Sequence, residues 1–375
     1  MSNLNEDSIF TKLGLTAEQT EILYNMEYLK TMQDSIAEKD SKKYSLKREW
    51  LDRWKNEISS AFSKDISADN SSINWMSEPD LVEAVVTEYK SFENKTWVYL
   101  AVFEAMLFIP YYPLDFETST KNGKTAKKPS KTYNSLKFSQ DDRWATYFVD
   151  TLSKKVGVHN NIVERFRKCF QKSVDRLSGK TKNIIIAAVS VVAVAAITAA
   201  TAGIAAPFIA TALVGAEFAG LSGAALVSAS LALLGGGAIA IGGAGMAGGV
   251  AVIVGGGALL GFTVSSAAAG GLAALGVFNN KDATISQAAR LEVTIREILL
   301  NVQKDIQFAQ KVLQKFKEQI KKLNENLERM KTDSETKNKE IKIIKENIEI
   351  LKKSMYETEK FVSSYEIGAE VAENQ

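Results

Sequence analysis

The chain has 375 residues with 46 basic and 44 acidic side chains, a formal net charge of +2. That length suits two or three ordinary domains, or one domain plus a membrane part, and the charge balance excludes a global attraction to nucleic acid or anionic lipid. One Cys and one His exclude an internal disulfide, the usual His/Cys zinc sites and make His159 a poor start for a catalytic triad.

Met1–Thr20 mixes Asn, Glu, Asp and Lys and lacks the apolar core of a secretory signal. Thr16 and Gln19 have the spacing of a capping box, which predicts a helix from there to about Glu38. A second helix is expected over Ser45–Phe62, with Leu46, Trp50, Trp54, Ile58 and Phe62 along one side. Ser77 before Glu78-Pro79 predicts another helix start, followed by Leu81, Val82, Val85, Val86 and Tyr89. Trp97–Tyr112 is apolar but short and carries Glu104, so it reads as a core helix rather than a bilayer span. Residues 117–137 read as a loop with Lys121, Lys124, Lys127, Lys128, Lys131 and Lys137 and no acid after Glu117. Such a run is either a solvated loop or a cluster for phosphates, with Tyr133 available to stack on a base.

Residues 183–280 are a different material. These 98 residues hold one charge, Glu217, and 19 of the 24 glycines. About 20 apolar residues cross the hydrocarbon core, so the block is long enough for roughly four crossings. The expected pieces are Ile184–Ala206, Pro207–Ser222, Ala224–Ile241 and Val250–Ala269. The upstream flank holds Arg165, Arg167, Lys168, Lys172, Arg176, Lys180 and Lys182 and the downstream flank Lys281, Arg290 and Arg296; positive charge on both sides places both ends on the cytoplasmic side and requires an even number of crossings, two or four. Gly245 with Gly249, and Gly257 with Gly261, have the G-x-x-x-G spacing of close helix contacts, or else mark turns. Glu217 either faces a watery path or lies in a surface loop between Gly215 and Gly220. The alternative to a membrane region is a buried apolar core.

From Leu291 to Met330 apolar residues recur at intervals of three and four, and Ile341, Ile344, Ile348, Leu351 and Met355 resume after a polar break. This heptad seam predicts a coiled coil, as one long helix or as a hairpin turning near Thr332–Lys337. With Leu313, Phe316 and Ile320 on the seam and the glycine pairs in the apolar block, a homo-oligomer is expected.

Familiar catalytic motifs fail. Gly243-Ala-Gly245-Met-Ala-Gly248 follows no strand and has no acidic residue about 20 positions on. Gly123-Lys124-Thr125 and Gly179-Lys180-Thr181 lack the earlier glycine of a phosphate loop. No enzyme, metal or cofactor is expected.

The expected fold class is thus all-α, with a soluble helical domain over 1–182, a transmembrane or pore region over 183–280 and coiled-coil helices over 281–375. The run Leu234-GGGAIAIGGAGMAGGVAVIVGGGALLG-Phe262 resembles the glycine-rich block of bacterial antiphage membrane effectors, with the Hailong effector the nearest named family. That resemblance implies an inner-membrane channel that depolarises the cell, controlled by a single-stranded oligonucleotide or nucleotide from a partner nucleotidyltransferase. A central apolar block between helices is also similar to α-helical pore-forming toxins of the cytolysin A type. Those have long coiled-coil helices before the block, where this chain has an aromatic-rich domain.

Overall fold

The computed structural model describes residues 13–65, 73–111, 114, 116–121, 124–139, 143–179, 281–332 and 338–373. Nine α-helices and one β-hairpin make up the regular structure among them. The expected spans over 184–269, Glu217 and the four paired glycines lie outside the described residues. Among the described residues no helix is long and apolar enough to cross a membrane.

Helix α1 (Ala17–Ile36) starts at the expected capping box: Gln19 N–H donates to the Thr16 hydroxyl, and Thr16 N–H donates to the Gln19 side chain. Of the stripe expected on α2 (Ser41–Asp65), Trp50, Trp54 and Ile58 are buried and Leu46 is half-buried, and Leu51, outside that stripe, is buried with them. Trp50 and Trp54 stack, and Tyr24 meets Trp54 edge-on. Helix α3 (Glu78–Ser91) has Ser77 as its N-cap, with proline in the first turn. In α4 (Thr96–Leu107) every residue is buried, as befits a core helix too short and too acidic to span a bilayer.

Strands β1 (Phe116–Lys121) and β2 (Lys124–Pro129) form an antiparallel hairpin. This corrects the expected loop. The two polar six-residue segments are adjacent in sequence and pair directly, and Pro129 sits at the last position of the ladder, where a missing N–H costs little. Helix α5 (Arg143–Val156) and α6 (Ile162–Ser178) complete the part before the apolar block. Gly179 ends α6 in the left-handed conformation that glycine adopts without penalty.

Helix α7 (Lys281–Val293) begins immediately beyond the apolar block and continues into a π-helical stretch over Thr294–Val302. The wider turn is visible in Gln303 N–H donating to the Ile298 carbonyl. Lys304 then takes φ 57°, and Asp305 caps α8 (Ile306–Thr332) by accepting from Phe308 N–H. The seam expected to run unbroken through this region is therefore interrupted at Gln303–Asp305. The interruption falls where the spacing has two consecutive fours, Ile298–Val302–Ile306.

Helix α9 (Asn338–Glu373) packs against α8 in the opposite direction. Gln310 donates to Glu366 and Lys317 to Glu359 at 2.6 Å, so numbers rise along one helix as they fall along the other. Of the two expected forms, the hairpin is the one adopted. Phe316 and Ile320 on α8, with Ile344, Ile348 and Leu351 on α9, are buried between helices of the same chain.

Candidate functional site

Helix α7 is enclosed. Residues 284–295 are buried without interruption, hence on every face of the helix. An enclosed helix is ordinarily apolar all round. This one buries Thr284, Ser286, Gln287, Arg290, Glu292 and Thr294. Burying such groups is costly where no partner offsets their desolvation; Ser286 Oγ and Gln287 Oε1 have no hydrogen-bond partner among the described residues, while the charged groups meet partners.

Arg290 points to the N-terminal core. Its guanidinium lies 3.1 Å from the carboxylate of Glu104 on α4, with both side chains sealed from solvent. Glu27 on α1 is also fully buried and lies within electrostatic range of Glu104, Arg290 and Lys30. Neither Glu27 oxygen has a hydrogen-bond partner among the described residues. Burial first, and then the Glu104 carboxylate, push the Glu27 carboxyl well above the usual range, with Lys30 and Arg290 acting in the opposite direction. One helical turn further on, the Lys30 amine donates to the carbonyls of Ala105, Met106 and Phe108, each at 2.8 Å. It thereby closes the C-terminal end of α4, although burial pushes its pKa down to about 7. Arg167 on α6 acts electrostatically on Lys30 from the other side. Three helices, α1, α4 and α7, thus bring buried ionisable groups to one dry centre, with the half-buried Arg167 of α6 at its edge.

The other charged contacts of α7 and of the π-helical stretch after it face α6 and α9. Glu292 accepts from Ser173 at 2.6 Å, from Ser354 at 2.6 Å and from Arg176. Glu297 accepts from Arg165, with the closer nitrogen at 2.6 Å, and from Asn301. Arg165 opposite Glu297 and Arg176 opposite Glu292 make α6 and α7 antiparallel. The C-terminal end of α6 and the N-terminal end of α7 therefore lie on the same side of the body. These are the two flanks of residues 180–280.

Several of the flanking cations have partners within the chain. Arg165, Arg176 and Arg290 are spent on the chain's own glutamates, and Arg296 lies over the Phe361 ring at 4.2 Å. A topology argument from charge is left with the remaining lysines. Other expectations are relocated too. Leu313, Phe316 and Ile320 are buried within one chain, so their burial requires no second copy. The hairpin register pairs Lys121 with Lys124, Lys127 with Thr118, and Lys128 with Glu117, while Lys131 is exposed just beyond it. Tyr133 is buried; its hydroxyl donates to Glu49 at 3.1 Å and accepts from Arg53 at 3.0 Å. It cannot stack on a base as the sequence reading allowed.

Among the described residues no cluster of His, Cys, Asp or Glu could hold a metal ion. Cys169 is buried on α6, and burial pushes its thiol up to about 12, which makes it a packing residue rather than a nucleophile. Comparisons with protein-family models, curated proteins and solved structures found no match to this chain.

Proposed function

We propose that the protein is a homo-oligomeric channel of the bacterial inner membrane. In this reading residues 183–280 line a pore that depolarises the cell, and the helical body on the cytoplasmic side controls it. The observation that carries the reading is the side-by-side exit of the two flanks. A segment that enters a bilayer and returns must start and finish on one face, and the antiparallel packing of α6 and α7, whose facing ends flank residues 180–280, supports that reading. The sequence supplies the other half of the support: 98 residues with one charge have no cheap place in water. Glu217 is then the carboxylate facing the conducting path, and Gly245, Gly249, Gly257 and Gly261 are close helix contacts in lipid.

Control by an anionic ligand belongs to the same proposal. Lys121, Lys124, Lys127, Lys128 and Lys131 are the cations that would meet the phosphates of a short single-stranded oligonucleotide made by a partner nucleotidyltransferase, and the role fits antiphage defence. With Tyr133 buried, recognition rests on charge rather than stacking.

Expression in bacteria followed by alkaline carbonate extraction tests the location. The protein stays in the membrane pellet on this account; release as a soluble monomer without detergent would favour a toxin that inserts into target membranes.

A further inference from the structure

Helices α1, α4 and α6 point their C-terminal ends the same way. Between α1 and α4, Lys30 reaches the carbonyls of Ala105, Met106 and Phe108, and one turn on Asp34 accepts from the Tyr111 hydroxyl at 2.7 Å. Residue numbers therefore rise together along the two. Between α4 and α6, the ring centres of Tyr99 and His159 are 6.4 Å apart and those of Phe103 and Phe166 5.1 Å, so numbers rise together there too. With α7 antiparallel to α6, the ends of α1 and α6 and the start of α7 share one side of the body. The corner between α1 and α2, residues 37–40, thus lies on the side that holds both flanks of residues 180–280.

Five large apolar side chains are well exposed among the described residues, and two of them, Ile36 at 65 % and Tyr44 at 41 %, flank this corner. Lys39, Lys42 and Lys43 are exposed between them. The acids of the corner serve the fold itself. Glu38 pairs with the buried Lys47 at 3.2 Å, and the Asp40 carboxylate accepts from the backbone N–H groups of Lys42 and Lys43 at the start of α2. The three lysine side chains carry the outward charge.

We propose that the α1–α2 corner rests on the anionic lipid surface of the membrane, with Ile36 and Tyr44 in the headgroup layer and the three lysines on lipid phosphates. The inference rests on the membrane reading above and adds the face by which the helical body sits on the bilayer. Tyrosine is favoured at the headgroup level, where its ring is in apolar surroundings and its hydroxyl stays wet. An exposed isoleucine loses contact with water there, which it cannot do on a bare surface. Each lysine near an anionic leaflet strengthens binding by about fivefold. Docked this way, the body holds the ends of α6 and α7 at the lipid surface, where a spanning segment must begin and finish.

The full chain in liposomes of phosphatidylcholine, with or without phosphatidylglycerol, tests the contact. A fluorophore is placed on Ser41→Cys at the corner or on Asn160→Cys just before α6, both exposed, and lipids with a nitroxide on the headgroup serve as quencher. The parent, whose Cys169 is buried, sets the labelling background. Quenching at residue 41 should be strong when phosphatidylglycerol is present and should far exceed quenching at residue 160. Changing Lys39, Lys42 and Lys43 together to Ala weakens docking on the order of a hundredfold. With Ile36→Ser and Tyr44→Ser added, quenching at residue 41 should fall to the level at residue 160. Equal quenching at both sites, or quenching unchanged in the five-site variant, would overturn the docking; retention after carbonate washing would then leave the membrane reading intact. If quenching persists and the mass in detergent falls in the Ile36→Ser, Tyr44→Ser variant, the corner is a contact between copies and the lipid assignment is wrong. Release of the chain by carbonate would overturn the membrane reading, and this inference with it.

Discussion

Arg290 and Glu104 meet at 3.1 Å in the solvent-free centre of the helical body, although the whole apolar block separates them in sequence. Breaking a buried pair by removing one partner leaves an uncompensated charge, whereas replacing both with apolar residues of similar volume is often neutral. Arg290→Met should therefore destabilise the protein by about 3–5 kcal/mol. Arg290→Met with Glu104→Leu and Glu27→Leu should recover most of that loss. Chemical unfolding of the variants in one buffer checks both statements.

The neighbouring Glu27 gives a pH signature. Its pKa is raised in the folded protein, so the folded state holds a proton that the unfolded chain releases above the ordinary carboxylate range. Stability from this group is present in full below that range and declines as pH rises toward the folded pKa. Glu27→Gln is neutral throughout and lacks the decline. Its melting-temperature advantage over the parent should grow as pH rises above the ordinary carboxylate range, which a calorimetric pH series measures directly.

Cys169 provides a local probe. A buried thiol held up to about 12 has almost no thiolate at neutral pH. Labelling by iodoacetamide should be slow in the native protein and complete within minutes in denaturant. Rapid native labelling would mean that α6 opens readily from α7.

The α8–α9 hairpin turns the heptad seam inward. Phe316→Ala should cost about 3–5 kcal/mol, because a large aromatic side chain is removed from a packed interior. Changing Leu313, Phe316 and Ile320 together to Asp should cost helical signal in circular dichroism as well as any oligomer. A variant that only dissociates, with its helicity intact, would place the seam between subunits after all.

For the ligand, each neutralised phosphate of a single strand contributes about 0.7 to the logarithmic salt slope, so four or five contacts give a slope of about −3. Changing Lys124, Lys127, Lys128 and Lys131 to Ala should flatten that slope and weaken binding together, as fluorescence anisotropy with a labelled oligonucleotide would show. Unchanged binding would move the search to the exposed lysines of α6.

Local rules carried the individual helices. The Thr16–Gln19 box, the Ser77 cap and the tryptophan stripe of α2 each depend on residues within a turn or two, and all three stand as expected. What spacing could not convey was which partner a charge meets. Arg165, Arg176 and Arg290 look like solvated flanking cations until α6 and α7 are packed together. Glu104 carried a signal, since an acid in an otherwise apolar helix demands a buried partner, but nothing local pointed to Arg290. The hairpin over 116–129 was hidden because a polar run rich in lysine and threonine resembles a solvated loop when the partner strand is not seen. The break in the seam was legible in the two consecutive fours at Ile298–Val302–Ile306, a departure of one residue from the heptad.

The central claim is conduction through residues 183–280, and ion flux from liposomes containing the purified full chain tests it most directly. The account predicts protein-dependent flux, altered in rate or ion preference by Glu217→Gln, under ligand-free or oligonucleotide-added conditions. Tight liposomes under both conditions, with the protein demonstrably inserted, would contradict it.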